Sequence, residues 1–169
     1  MKSLNIAVVG FAKQPAAGNY LHAAQLARAL AFRRWSLLAG NYRGTMGVAL
    51  EHASNAHADT TVVLEKNQFL VSGRHISRVI YAQDQSHKHE LIARMSDAAI
   101  VIGGGHASLR LVNALLLYRK PVFALRGSGG ITEAELPKRV LMYSEAADAI
   151  NVIHRYSAPS EFTPLLSQA

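Results

Sequence analysis

Between Ala98 and Gly130 the chain reads AAIVIGGGHASLRLVNALLLYRKPVFALRGSGG, two apolar runs that each end in a glycine cluster, with an apolar helical stretch between them. A run such as AAIVI or VFAL, apolar at every position, suits a strand covered on both faces, which is the condition of a parallel sheet. Glycine at the end of such a strand lets the backbone turn sharply into the next helix. The same order recurs along the chain. Strands are expected at Lys2–Val9, in WSLLAG up to Gly40, and in TTVVLE, AAIVI, KPVFAL and RVLMY. A helix is expected over Gly18–Arg34, where Ala23, Leu26, Ala27, Leu30 and Ala31 repeat with helical period. Others are expected over Met46–Ala56, Ser86–Met95 and Leu109–Tyr118, and a closing helix shares Ala146, Ala149, Ile150 and Ile153 on one face, with Ser144 as its cap. Residues 67–82 hold β-rich runs around Ser72-Gly73 and read as a hairpin or an irregular excursion.

Strands alternating with helices imply right-handed βαβ units. The expected fold class is therefore α/β: a doubly wound, Rossmann-like parallel sheet with helices on both faces. One nucleotide-binding domain is expected over residues 1–156, followed by a Ser- and Pro-rich tail at 157–169. Half of the residues are hydrophobic and 17% are charged, which disfavours disorder. Cysteine is absent, so a disulfide framework, a thiolate zinc site and a thiol nucleophile are excluded, and a cytoplasmic location is expected. No apolar run approaches the roughly 18 residues of a membrane span. The opening residues resemble a signal peptide, but Asn5 interrupts the apolar stretch and Gly10 ends it early, so a buried first strand is expected.

In a parallel sheet every strand-to-helix loop leaves at the carboxyl edge, where ligands bind. Three glycine-rich loops are expected there: Gly40–Gly47, Gly103–Ser108 and Gly127–Gly130. Successive amides of such loops, backed by a helix N-terminus, hold an anion, typically a phosphate. The net charge of +7 agrees with an anionic partner. Gly103, Gly104, Gly105 and Ser108 are the expected phosphate cradle, with His106 at its mouth. Gly44, Thr45, Gly129 and Gly130 would shape the rest of the pocket, and Arg43 and Arg126 would pair with its charge.

Several chemistries are disfavoured. The first strand leads into GFAKQPAAG, which lacks the G-x-G-x-x-G of dinucleotide enzymes. His87 and His89, two apart on a helix, cannot face one metal ion. GGGHAS is not a nucleophile elbow. Basic residues Arg74, His75 and Arg78 lie between Phe69 and Tyr81, a pattern suited to single-stranded nucleic acid. The helix Leu109–Tyr118 is apolar nearly all round, so a homodimer is expected through it.

The segments LLAGNYRGTMGVALEHA, HKHELIARMSDAAIVIGGGHASLRLVNALLLYRKPVFAL and GSGG resemble the SLOG superfamily. That group holds the Lonely Guy phosphoribohydrolases (often titled lysine decarboxylases), molybdenum-cofactor carrier proteins and the Rossmann-like part of DNA-processing protein A. KPVFALRGSGG is most similar to the carrier branch. The hydrolases carry Pro-Gly-Gly-x-Gly-Thr-x-x-Glu. Against it Gly103 stands at the proline, Gly104 and Gly105 match, Ala107 replaces the third glycine, Ser108 the threonine and Leu111 the glutamate. The family's catalytic arginine falls on Lys88. The resemblance thus implies a retained phosphate cradle without the cleaving carboxylate. It points to a carrier or sensor for a nucleotide or molybdopterin-type cofactor, with no further cofactor required. A phosphoribohydrolase with a relocated carboxylate, Glu90 or Glu133, is the alternative, and a nucleic-acid-binding module the third.

Overall fold

The computed structural model describes residues 3–13, 16–70, 72–133 and 136–157. Among these, β1 (Asn5–Gly10), β2 (Ser36–Ala39), β3 (Thr60–Glu65), β4 (Arg78–Ala82), β5 (Ala98–Ile102), β6 (Val122–Leu125) and β7 (Leu141–Tyr143) form one sheet. The order is β4-β3-β2-β1-β5-β6-β7, and every adjacent pair is parallel. The helices are α1 (Ala17–Phe32), α2 (Gly44–Asn55), α3 (Gln85–Met95), α4 (His106–Leu117) and α5 (Ala146–Tyr156). The architecture is the doubly wound α/β fold that the alternating pattern requires.

Successive side chains of a strand point to opposite faces, so each buried strand feeds two cores. Ile6, Val8, Leu37, Ile100 and Phe123 meet α1, α2 and α5 on one face. Ala7, Val9, Leu38, Ala99 and Val101 meet α3 and α4 on the other. On α1 the buried apolar residues are Ala23, Leu26, Ala27 and Leu30, the stripe that its period dictates.

β1 is the pivot of the sheet. Ile6 stands opposite Leu37 of β2 on one side and Ala98 of β5 on the other. The first half of the chain builds outward from β1 to β4. The crossover through α3 then returns to β1, and the second half builds outward the other way. The loops leaving β1 and β5 therefore diverge, and a crevice opens between them at the carboxyl edge.

Three local expectations are corrected. Residues 67–82 contain no hairpin among the described positions, since β4 runs parallel to β3 with Thr61 opposite Arg78. Thr60 Oγ1 donates to the His75 carbonyl at 2.8 Å, and Ser77 N donates to the Thr60 carbonyl at 2.9 Å. These bonds return the chain to the start of β3, so the next residues run beside it in the same direction. The cap of α5 is Glu145 rather than Ser144, with no side-chain bond to the helix amides. Helix α4 begins at His106 instead of Leu109, because exposed His106 and Ala107 and polar Ser108 add nothing to an apolar period. The tail beyond Ser157 lies outside the described residues. No helix among them is long and apolar enough to cross a membrane.

Candidate functional site

Glycines from separate loops meet at the segment that leaves β1. Gly103 has φ +66°, and a Cβ there would strike the Phe11 ring, with Cδ2 only 2.8 Å away. Gly130, at φ +62°, would place a Cβ 2.7 Å from Phe11 Cζ and into the Gly104 carbonyl. From the α2 side Thr45 N donates to the Phe11 carbonyl at 3.0 Å. Three glycine-rich loops thus do converge, but on the protein's own residue Phe11.

Two of the glycine amides are spent on side chains that follow β6. Gly103 N donates to Ser128 Oγ at 2.8 Å, Ile131 N to the Gly104 carbonyl at 3.0 Å, and Gly129 N to Glu133 Oε1 at 3.1 Å. Asn19, buried at the start of α1, donates through Nδ2 to the Ser128 carbonyl at 2.8 Å. The loop after β6 is thereby locked beneath the loop after β5.

Above this floor a cavity of about 300 Å³ lies in the crevice between β1 and β5. Its base is apolar: Val9, Phe11, Met46, Ile92 and Leu111. One wall is the first turn of α4, where Gly105 is the cap and His106, Ala107 and Ser108 follow. The first amides of a helix lack intrahelical partners, and α4 has neither a capping side chain nor an acidic residue in that turn. The opposite wall is α3. Asp84 accepts from His87 N at 2.8 Å and so starts α3 at Gln85. That start puts Gln85, Lys88, His89 and Ile92 on one helical face, and all four line the cavity. Lys13 and Asn41 complete the polar rim, and among the described residues no Asp or Glu lines it.

Lys88 Nζ donates to Glu65 Oε1 at 2.9 Å, with the two side chains 10% and 20% exposed. His89 is held below the usual histidine range, chiefly because burial penalises the imidazolium and also because the Lys88 and Arg110 cations oppose it; Glu65 pulls the other way. An uncharged imidazole therefore sits beside a lysine in a wall that faces helix amides. The arrangement suits a partly apolar ligand carrying a negative group.

Of the residues expected from sequence, Gly105, His106, Ser108 and Lys88 line this cavity. The Ser108 hydroxyl is spent on the Gly10 carbonyl, to which it donates at 3.1 Å. Gly103, Gly104 and Gly130 form the floor behind Phe11, while the Gly129 amide is spent on Glu133. Arg43 and Gly44 line a neighbouring cavity. Thr45 is fully buried, and its Oγ1 has no hydrogen-bond partner. Arg126 is exposed and outside the lining. Glu90 pairs with Arg94 at 2.9 Å and accepts from the Tyr118 hydroxyl at 3.2 Å, while Glu133 caps Gly129. Neither carboxylate lines the cavity, and Leu111 does. Phe11, Asn41, Gln85 and His89 line the cavity without having been expected to; for Gln85 and His89 the signal was the Asp84 cap three residues before His87.

A Rossmann-like domain with its crevice at the strand-order reversal is the class these features define. The chain belongs to the SLOG cluster4 family, whose model matches residues 3–157. No curated protein matches it in sequence. Among solved structures it is similar to TM1055, a structural genomics target, at 20% identity and TM-score 0.81, over 90% of this chain and 99% of that one. The molybdenum cofactor binding protein of Rippkaea orientalis is 25% identical with TM-score 0.78, over 92% and 98% of the two chains. The molybdenum cofactor carrier protein MCP of Chlamydomonas reinhardtii is 23% identical with TM-score 0.72, over 91% and 98%.

Proposed function

We propose that the chain is a carrier or sensor that binds a phosphate-bearing nucleotide or molybdopterin-type cofactor in the β1–β5 crevice. The observation that carries this reading is the uncapped first turn of α4 opening into a cavity of about 300 Å³ that no carboxylate lines among the described residues. The residues present fit such a ligand. Gly105, His106, Ala107 and Ser108 would hold its phosphate through backbone amides and the helix dipole. Lys13 and Lys88 add charge. Phe11, Met46, Ile92 and Leu111 offer an apolar bed for a planar ring, and Asn41, Gln85 and neutral His89 offer hydrogen bonds to its edge. The ligand is cargo in this reading, and the protein's part is to orient it and shield it from water.

Leu111 supports binding without family-type hydrolysis, since the residue at the position of the family's carboxylate faces the cavity and cannot donate or accept a proton. The protein acts in the cytoplasm as a homodimer in this reading, paired through the outer face of α4, where Leu117 is 80% exposed.

Ala107→Asp tests the proposal. Ala107 is exposed and lines the cavity, so the variant keeps its fold. An acidic group in the first turn of a helix adds about 0.3–1 kcal/mol of stability, yet it places a negative charge where the phosphate would sit. Nucleotides and molybdopterin that raise the melting temperature of the wild type should leave the variant unmoved; at a hundredfold excess over Kd the wild type gains about 2.7 kcal/mol. Equal stabilisation of both proteins, or of neither, refutes the site. Release of free base from AMP would favour the hydrolase, and binding only to oligonucleotides the nucleic-acid module.

A further inference from the structure

Every strand of the sheet is parallel, so the first residues of all of them lie on the edge opposite the β1–β5 crevice. Helices α1 and α4 run back between strands and end on that same edge. Three basic pairs collect there. Arg33-Arg34 stops two residues before β2, Arg119-Lys120 two residues before β6, and Lys138-Arg139 two residues before β7. The sheet order between them is β2-β1-β5-β6-β7. At about 4.8 Å per strand the pairs form a row about 19 Å long.

Arg34, Arg119, Lys138 and Arg139 are exposed, and among the described residues none of the six cations is in an ion pair. Arg33 leans on neutral partners: its Nη2 donates to Asn151 Oδ1 at 2.7 Å, and its guanidinium lies 5.8 Å from the centre of the Trp35 ring. Asp97, the acid that precedes β5 within the row, accepts from Asn5 N at 2.9 Å. A helix dipole favours cations after α1 and α4. It does not account for Lys138 and Arg139, which lie in a turn closed by Val140 N donating to the Pro137 carbonyl at 2.9 Å. Nor does it explain the large apolar side chains that stand in water beside the cations. Phe32, next to Arg33, is 87% exposed, and Leu141, two residues after Arg139, is 37% exposed. Leu117 lies on the α4 face given to the homodimer, so Phe32 and Leu141 are the free apolar groups of this row.

Charge and apolar exposure together select the partner. A nucleic acid would meet the cations, but its backbone offers no apolar phase for Leu141. The surface of an anionic bilayer offers both: headgroup phosphates and carboxylates for the cations, and acyl chains just beneath them for the apolar side chains. We propose that this edge is a docking surface for an anionic lipid membrane, bound reversibly and without a spanning helix. The three basic pairs meet the headgroups, and Phe32 and Leu141 enter the boundary with the acyl chains. The crevice, at the opposite edge of the sheet, then faces away from the bilayer and stays open. Docking of this kind is independent of what the crevice binds.

The test is flotation of the full chain with vesicles of phosphatidylcholine alone and of phosphatidylcholine mixed with phosphatidylserine. The protein should float with the mixed vesicles and not with the neutral ones. At about fivefold in affinity for each cation near the surface, Lys138→Gln combined with Arg139→Gln should weaken binding by about 25-fold. Phe32→Ser should weaken it by about tenfold through the lost apolar contact. All three positions are exposed, so these variants keep the fold. Lys66→Gln combined with Arg126→Gln removes the same charge from exposed positions just after β3 and β6, at the carboxyl edge, and should leave vesicle binding unchanged. Equal losses from the two double variants would trace binding to net charge and overturn the docking surface. Flotation with neither vesicle, or Phe32→Ser binding as well as the wild type, overturns it too. An oligonucleotide that binds more tightly than the mixed vesicles, and needs Lys138 and Arg139 to do so, gives the row to nucleic acid and likewise overturns the proposal.

Discussion

Replacing Gly103 by alanine separates two uses of glycine in the loop after β5. If Gly103 only permits a left-handed turn, the variant loses about 1–2 kcal/mol for a side chain at positive φ. The structure adds a second cost, because the new Cβ collides with the Phe11 ring and stands 2.9 Å from the Ser128 carbonyl. Overpacking of this kind costs about 1–3 kcal/mol more, for a total of about 2–5 kcal/mol. Gly127 is the control: its φ is +76°, but nothing lies within 4 Å of an added Cβ, so Gly127→Ala should lose only the conformational part. Urea unfolding followed by circular dichroism measures each loss. Phe11→Ala removes the obstructing ring, so the double variant with Gly103→Ala should be more stable than the sum of the single losses by about 1–3 kcal/mol. Recovery stays partial, because the Ser128 carbonyl cannot withdraw. Should Gly103→Ala cost no more than Gly127→Ala, or should the two substitutions add, Phe11 is not what the glycines accommodate.

The remaining predictions concern the α3 wall. The imidazole of His89 is held below its ordinary value in the folded chain, so the unfolded chain binds more protons as pH falls through about 6.5. Stability that His89 contributes when neutral should fade below that pH, and His89→Asn should flatten the decline in a urea series from pH 7.5 to about 5. Glu65→Gln should cost about 1–3 kcal/mol by breaking the half-buried pair with Lys88, yet it should tighten anion binding, because Lys88 then faces the crevice uncompensated. Lys88→Met should lose both stability and affinity. Calorimetric titration alongside unfolding reads the two directions, and a parallel change in Glu65→Gln would count against Lys88 as a ligand contact.

The fold was legible because its signals are local. AAIVI and VFAL are apolar at every position, and only strands buried on both faces need that. The α1 stripe and the glycine punctuation likewise depend on neighbours a few residues away. The position of α3 opposite α4 was not legible. It follows from a crossover that carries the chain from the sheet edge at β4 to the far side of β1, and that choice alone brings Lys88 and His89 to face Gly105 and Ser108. Residues 67–82 left a hairpin and an irregular excursion both open for the same reason: β-rich runs beside a turn dipeptide suit either, and only bonds to Thr60 set β4 parallel after an irregular stretch. Glycine composition announced close backbone approach at three loops, but composition does not say what approaches. Packing around β1 decided that Phe11 fills the space beneath them, leaving a helix terminus and the wall of α3 to line the crevice, while Arg43 went to a different cavity.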